Sequence, residues 1–311
     1  MSTTATATEA RTASTEAVQR ASTLRQAVPV VLAGDAPLAG VLPLIDTAWQ
    51  NVSQRTLRSR LRHNGYLSLR GVLPHEEVTC ARAAVLAALR AEVPGALSSE
   101  AAGKDATAGH VPAGLLGRPN IAHLPAVLAV LQHQTLFDVA AAVLGCRLTE
   151  VVTCDYKWLR AVPPGQFTGV HCDAKYVSGD IVTLWIPLGH VRLRDGGMLI
   201  AHESNRLPSF AELRQKYLST PLGVDGTASG WLCTAAEQLP SHVGHTAPVW
   251  HGGDLAPGDI LVLTPTTWHM TAANVSDQLR LSCDTRWQAA GSPRDKRLPV
   301  WTDMRGDLAI A

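Results

Sequence analysis

Two hydrophobic periods divide this chain. Between residues 46 and 144 apolar side chains recur at helical spacing, and from Thr149 onward they come in short runs between turn residues. The first period predicts a helix opening near Asp46 and running through Leu57 and Leu61. Residues 65–73, bounded by glycines, read as a short strand. Pro74-His75-Glu76-Glu77 opens a second helix continuing through Ala91, because proline suits a first helical turn and the two acids meet the positive end of the dipole. Residues 98–109, small and polar, read as a loop, and 124–144 as one further helix stopped by Gly145.

The second period is that of an antiparallel barrel or jelly roll. It covers about 149–290 and is interrupted between Leu207 and Trp250, where a helical stretch at 210–218 leads into a glycine-rich loop. An excursion of that length between strands is more often functional than idle, so it is expected to act as a lid over a substrate mouth. Residues 1–27, rich in Thr, Ala and Ser, are too weakly apolar to bury themselves and are expected to be disordered. Glu9 and Glu16 argue against a transit peptide there. The remainder, 28–311, is expected to form a single domain with its helical part at about 46–146.

Composition narrows the function classes. The 311 residues are 46% apolar, enough for a substantial core, and 27 Lys+Arg against 26 Asp+Glu give a net charge of +1. No strong field would draw in nucleic acid or an anionic membrane, and no apolar run of about 20 residues is expected to span one. Six cysteines, at 80, 146, 154, 172, 233 and 283, show no C-x-x-C pair, which fits reduced thiols in a cytoplasmic protein better than a disulfide framework or zinc ribbon. The expected partner is a small molecule; the oligomeric state is left open.

The candidate chemistry lies in His171-Cys172-Asp173 and, downstream, His269 and Arg280. Strand side chains alternate with period two, so His171 and Asp173 would share a face while Cys172 points away. If a second strand brings His269 to the same point, two imidazoles and one carboxylate form the facial set of non-haem Fe(II) oxygenases. Arg280 and Ser282 would share a face of the next strand, where a guanidinium forks onto a carboxylate; this suits the distal carboxylate of 2-oxoglutarate. Alone, a His-x-Asp pair is common in a chain with 12 histidines. The spacing His251-Gly-Gly-Asp254 breaks alternation and is rejected as a second metal pair.

From Val151 to Trp287 the ordered motifs resemble the phytanoyl-CoA dioxygenase-like family of Fe(II)/2-oxoglutarate oxygenases. They are Lys157, His171-Cys172-Asp173 with Tyr176, the strand Gly179 to Leu188 around Trp185, the turn Asp195-Gly196-Gly197, Pro257-Gly258-Asp259, and His269 followed by Asn274, Ser276 and Arg280. The resemblance implies a mainly β fold with flanking helices: a double-stranded β-helix (jelly roll, cupin-like) with N-terminal helices packed on one sheet. It implies Fe(II), 2-oxoglutarate and O2, with His171, Asp173 and His269 as catalytic metal ligands and Arg280, Ser282 and Trp185 at the cosubstrate. The implied reaction hydroxylates an unactivated C–H bond while 2-oxoglutarate is split to succinate and CO2. Desaturation, cyclisation or demethylation would use the same site. Halogenating relatives replace the metal carboxylate, so Asp173 favours oxygen transfer. Where the family often shows Pro-Gly-Ser-His, this chain has His202-Glu203-Ser204-Asn205. A zinc hydrolase and a non-catalytic binding protein on the same fold are the alternatives of another class; the former leaves Arg280 without a role.

Overall fold

The computed structural model describes residues 30–92, 119–222, 229–244 and 247–308; the expectations for 1–27 and for the 98–109 loop lie outside them. The helical part contains α1 (Gln54–Asn64), α2 (His75–Glu92), α3 (Pro119–Ala122), α4 (Pro125–Leu131) and α5 (Gln134–Leu144). α1 starts later than the pattern predicts because Ser53 caps it, its hydroxyl accepting from Thr56 N at 3.1 Å. Asp46 is instead spent on the following strand, accepting from Ser68 Oγ at 2.7 Å and Arg70 Nε at 2.9 Å. Gly65 ends α1 at φ 83°, and a Cβ there would meet Thr267 Oγ1 at 2.7 Å, so two separate demands require glycine.

The single helix expected over 124–144 is two. His133 is extended, and its ring accepts from Thr135 N at 3.2 Å, so a polar Gln-His-Gln run ends α4 and caps α5. The same segment corrects the expectation that no apolar run reaches spanning length. Pro125–Leu144 is 20 residues long and contains an 18-residue stretch of mean hydropathy 1.5. Its break and its 56% burial inside the protein place it as a helix pair of the core.

The strands are β1 (Val31–Ala33), β2 (Ala36–Leu38), β3 (Leu42–Pro43), β4 (Tyr66–Leu69), β5 (Val151–Cys154), β6 (Trp158–Val162), β7 (Val182–Pro187), β8 (Met198–Ala201), β9 (Trp250–Gly252), β10 (Ile260–Leu263), β11 (His269–Thr271), β12 (Arg280–Ala289) and β13 (Trp301–Thr302). A seven-stranded sheet runs β13-β5-β12-β7-β10-β4, with β6 also paired to the long β12, and faces a four-stranded sheet β11-β8-β9-β3. This is the jelly roll the motifs implied.

Period-two alternation sorts the large sheet into two faces. Leu281, Cys283 and Trp287 of β12, Leu184 and Ile186 of β7, and Ile260 and Val262 of β10 join one apolar core with α1, α2, α4 and α5. Phe137 of α5 meets Trp287 edge to face at 4.8 Å, a contact that adds about 1 kcal/mol beyond burial. The opposite face of β12 carries Arg280, Ser282, Asp284 and Arg286, all buried although polar. Helices therefore cover one side of this sheet, and charged groups line the barrel interior.

The excursion after Leu207 contributes α6 (Ser209–Ser219) and α7 (Leu239–His242). Phe210, Leu213 and Tyr217 of α6 pack on Leu199, Ala201, Trp268 and Met270, the outer face of the small sheet. A cavity of about 660 Å³ opens in this layer between Lys175, Leu213, Tyr217 and Trp231, and none of His171, Asp173 and His269 lines it.

Candidate active site

His171 and His269 face each other as a hydrogen-bonded antiparallel pair: each backbone N–H donates to the other's carbonyl at 2.9 Å. Directly opposed residues share a face, so both imidazoles enter the barrel, their centroids 4.2 Å apart. Residues 98 positions apart in the chain meet because the backbone between them closes one turn of the roll. Asp173 arrives differently from the simple strand expected. Cys172 is extended and buried in the outer core, facing away as alternation requires, but Asp173 begins a single helical turn, Asp173–Lys175. That turn swings its carboxylate toward the two rings, and one ligand-type atom from each of the three residues falls within 4.8 Å of the others.

The hydrogen bonds fix the tautomers. His171 Nδ1–H donates to Gly169 O at 2.8 Å and His269 Nδ1–H to Thr267 O at 3.0 Å, which leaves both Nε2 lone pairs facing inward. Burial pushes the His171 imidazole well below its ordinary value, and His269 beside it adds to the effect. His269 Nε2 and Asp173 Oδ1 are 4.0 Å apart: two acceptors facing a common point rather than an ion pair. Burial would raise the Asp173 carboxyl, but the Arg286 guanidinium, with the Thr183 hydrogen bond, holds it below the usual range. Thr183 Oγ1 donates to Asp173 Oδ2 at 2.5 Å and Arg286 Nη2 to Oδ1 at 3.1 Å. Two inward-facing imidazole nitrogens and a fixed carboxylate oxygen suit a borderline divalent ion with open positions, as Fe(II) requires.

Arg280 is buried with Nε and Nη2 unpartnered; its Nη1 donates to Ser282 Oγ. Its Cζ lies 5.8 Å from the Trp185 ring centroid, so arginine, serine and tryptophan are brought together as expected. Burial and the nearby Arg160 charge push the guanidinium down to about 9, against Asp284. A desolvated cation with free donors calls for a counter-anion, a need that the distal carboxylate of 2-oxoglutarate would meet. Iron and cosubstrate therefore both fit the residues present.

Sequence reasoning missed Thr183, Arg286, Arg160 and Asp284. Extending the alternation of β12 beyond Ser282 would have found Asp284 and Arg286. Arg160 of β6 donates from Nε to Asp284 at 2.8 Å. Lys157 is spent on the Cys154 carbonyl at 2.5 Å, away from the triad. Asp254 accepts from Leu193 N at 3.0 Å, and His251 Nδ1 lies 2.7 Å from the Tyr66 hydroxyl; the two join no metal-ligand cluster among the described residues. In the stretch that departs from Pro-Gly-Ser-His, Glu203 stands second and has φ 61°, a conformation that glycine adopts freely. Ser204 there accepts from Trp268 N at 2.9 Å and so anchors the entry to β11.

Known proteins share this fold. Among solved structures, the non-haem α-ketoglutarate-dependent carbocyclase SnoK of nogalamycin biosynthesis is 21% identical with TM-score 0.54, over 80% of this chain and 89% of its own. The epimerase SnoN, solved with Fe3+, α-ketoglutarate and nogalamycin RO, is 19% identical with TM-score 0.54, over 78% and 85%. AviO1 from Streptomyces viridochromogenes is 16% identical with TM-score 0.54, over 78% and 98%. At these identities the likeness is one of fold. No curated protein matches the chain in sequence. The family model of phytanoyl-CoA dioxygenase (PhyH), however, matches residues 61–282, most of the chain. With that match added to the jelly roll and its His-Asp-His cluster, the chain belongs to the phytanoyl-CoA dioxygenase family and is an oxidoreductase dependent on Fe(II) and 2-oxoglutarate.

Proposed function

We propose that this enzyme hydroxylates an unactivated C–H bond of a small molecule, with His171, Asp173 and His269 holding the iron and Arg280, Ser282 and Trp185 holding 2-oxoglutarate. The observation that carries the reading is the pairing of a closed His-Asp-His cluster with a buried, half-satisfied guanidinium inside one barrel. When bound, iron and cosubstrate supply the oxidising chemistry, in which 2-oxoglutarate is decarboxylated to succinate and CO2.

The chain's own contribution is binding, orientation and exclusion of water. Gly169 O and Thr267 O hold both imidazoles in the tautomer that presents Nε2. Thr183 and Arg286 fix the Asp173 carboxylate so that it does not swing away when the site empties. Arg280, supported by Ser282 and Trp185, sets the register of the cosubstrate. Leu261, Leu263, Ile200 and Trp185 form an apolar wall on the barrel interior that keeps the site dry. Tyr176, whose ring lies 5.6 Å from His171, donates to Ser229 O in the excursion at 2.6 Å; this contact supports a role for the 207–250 segment as the cover of the substrate mouth. The same residues would serve ring closure, desaturation or demethylation, the outcome depending on where the substrate carbon is held. Six unpaired thiols support a reducing, cytoplasmic setting.

A library of small molecules screened for Fe(II)-dependent succinate release tests this reading. Stimulation by a compound that gains one oxygen supports it. Hydrolysis of a compound by the zinc-loaded protein without O2 would instead identify a hydrolase, and neither activity a binding protein.

A further inference from the structure

β12 presents a second guanidinium whose donors are unspent. Arg286 is 1% exposed, and beyond its single bond to Asp173 its Nε and Nη1 have no partner. Structural support of one carboxylate oxygen uses one N–H; it does not explain a buried fork with the rest of its donors free. Surface arginine leaves such donors to water, but here burial removes that option.

The placement of the two arginines says what the fork faces. Arg280 and Arg286 are six positions apart on the same inner face, about 20 Å along an extended strand. Their side chains close that gap from both ends. Asp284 lies between them, paired across the sheet with Trp158 on one side and Trp185 on the other. Arg280 leans forward until its Cζ is 5.8 Å from the Trp185 ring, and Arg286 leans back until its Cζ is 4.6 Å from the Trp158 ring. Both guanidiniums thus come to rest beside one rung of the sheet, Trp158-Asp284-Trp185. The negative charge of that rung is already matched, since Arg160 holds Asp284 at 2.8 Å. Two guanidiniums with unspent donors remain: Arg286, paired through one N–H with Asp173, and Arg280, which has no carboxylate partner among the described residues.

We propose that Arg286 is a second carboxylate receptor of the cosubstrate site: it takes the keto-acid-end carboxylate of 2-oxoglutarate while also bracing Asp173, and Arg280 takes the distal carboxylate. This assignment rests on the oxygenase reading above and deepens it. A dicarboxylate is the ligand class that satisfies two opposed forks at once, and the position of Arg286 beside Asp173 sets which end it grips. The brace and the grip share one guanidinium, so the metal carboxylate and the chelating end of the cosubstrate are held in fixed relation to each other. A carboxylate carried by the primary substrate is the competing occupant of the free fork.

The test is an anaerobic titration of Fe(II)-saturated protein, reading the visible charge-transfer band that a 2-oxo acid gives on chelating the metal. The wild type, Arg286→Gln, Arg286→Lys and Arg280→Gln are each titrated with 2-oxoglutarate and with 2-oxobutanoate, which keeps the keto-acid end and lacks the distal carboxylate. Loss of a charged hydrogen-bonding partner predicts that Arg286→Gln weakens both ligands about 30-fold, and that Arg280→Gln weakens only 2-oxoglutarate. Arg286→Lys retains the charge without the fork and falls between wild type and Arg286→Gln; it also serves if the glutamine variant does not fold. Affinity for 2-oxoglutarate within about threefold of wild type in Arg286→Gln overturns the proposal. If only Fe(II) affinity then falls, Arg286 is a brace for Asp173 alone; if the KM of a carboxylate-bearing substrate rises, the fork belongs to the substrate. A wild type that gives no band with either acid removes the oxygenase reading itself, and this assignment with it.

Discussion

Replacing Arg280 with methionine should make the empty protein more stable and the cosubstrate-bound protein less so. Arg280 is 3% exposed, with Nε and Nη2 lacking partners and only Nη1 engaged, on Ser282. Unsatisfied buried donors on a charged group cost about 1–3 kcal/mol. Methionine keeps the apolar stem and removes that cost, while losing about 1 kcal/mol for the Ser282 bond. The expected net gain is about 0–2 kcal/mol, or up to roughly 3 °C in Tm for a chain of this size. With 2-oxoglutarate the order inverts. At a concentration 100 times Kd the ligand adds about 2.7 kcal/mol to the wild type, and the variant, its affinity weakened about 100-fold, gains little. Thermal unfolding of anaerobic, Fe(II)-loaded protein with and without 2-oxoglutarate measures both halves. The reasoning is refuted if the variant without ligand is less stable than wild type by more than about 1 kcal/mol, or if 2-oxoglutarate raises both Tm values equally.

Asp173→Ala should abolish Fe(II)-dependent succinate release and also destabilise the fold by about 3 kcal/mol in urea titration, because it leaves Arg286 buried and unpaired. Adding Arg286→Met to that variant should recover most of the stability and none of the activity. Trp185→Phe weakens the contact over Arg280 and should raise the Kd for 2-oxoglutarate about threefold, with Fe(II) affinity unchanged. His251 is held down to about 4 by burial, with His202 stacked on it at 4.5 Å. The unfolded chain therefore takes up a proton that the fold refuses: this contribution to stability is complete above about pH 6.5 and is lost as pH falls toward 4. After discounting for the half-buried His202 edge, the loss is about 1–2 kcal/mol. Urea midpoints at neutral and mildly acidic pH should show that slope in the wild type, and a reduced slope in His251→Gln.

The triad was legible because alternation is a rule of side-chain direction and not of hydrogen bonding. Residues 171–173 need only extended backbone to put Cys172 on the outer face, and the helical turn at Asp173 does not undo it. Arg280 and Ser282 were legible for the same reason. Arg286 was passed over, since an arginine with no motif around it reads as solvated; the same alternation puts it on the inner face, and its burial there brings it to Asp173. The break between α4 and α5 escaped the hydrophobic period because a histidine ring acting as an N-cap is a local device that periodicity does not register. Glu203 shows the converse: it takes a left-handed backbone at φ 61°, where glycine would be unstrained, and its carboxylate pairs with Arg206 at 2.6 Å and His63 at 2.8 Å.

Everything in the functional account depends on one metal meeting three side chains. Iron-edge anomalous diffraction from crystals grown with Fe(II) and 2-oxoglutarate under anaerobic conditions measures that directly. A single peak bonded to Nε2 of His171, Nε2 of His269 and a carboxylate oxygen of Asp173 is the predicted result. A peak elsewhere, or one that omits any of the three, would contradict the account.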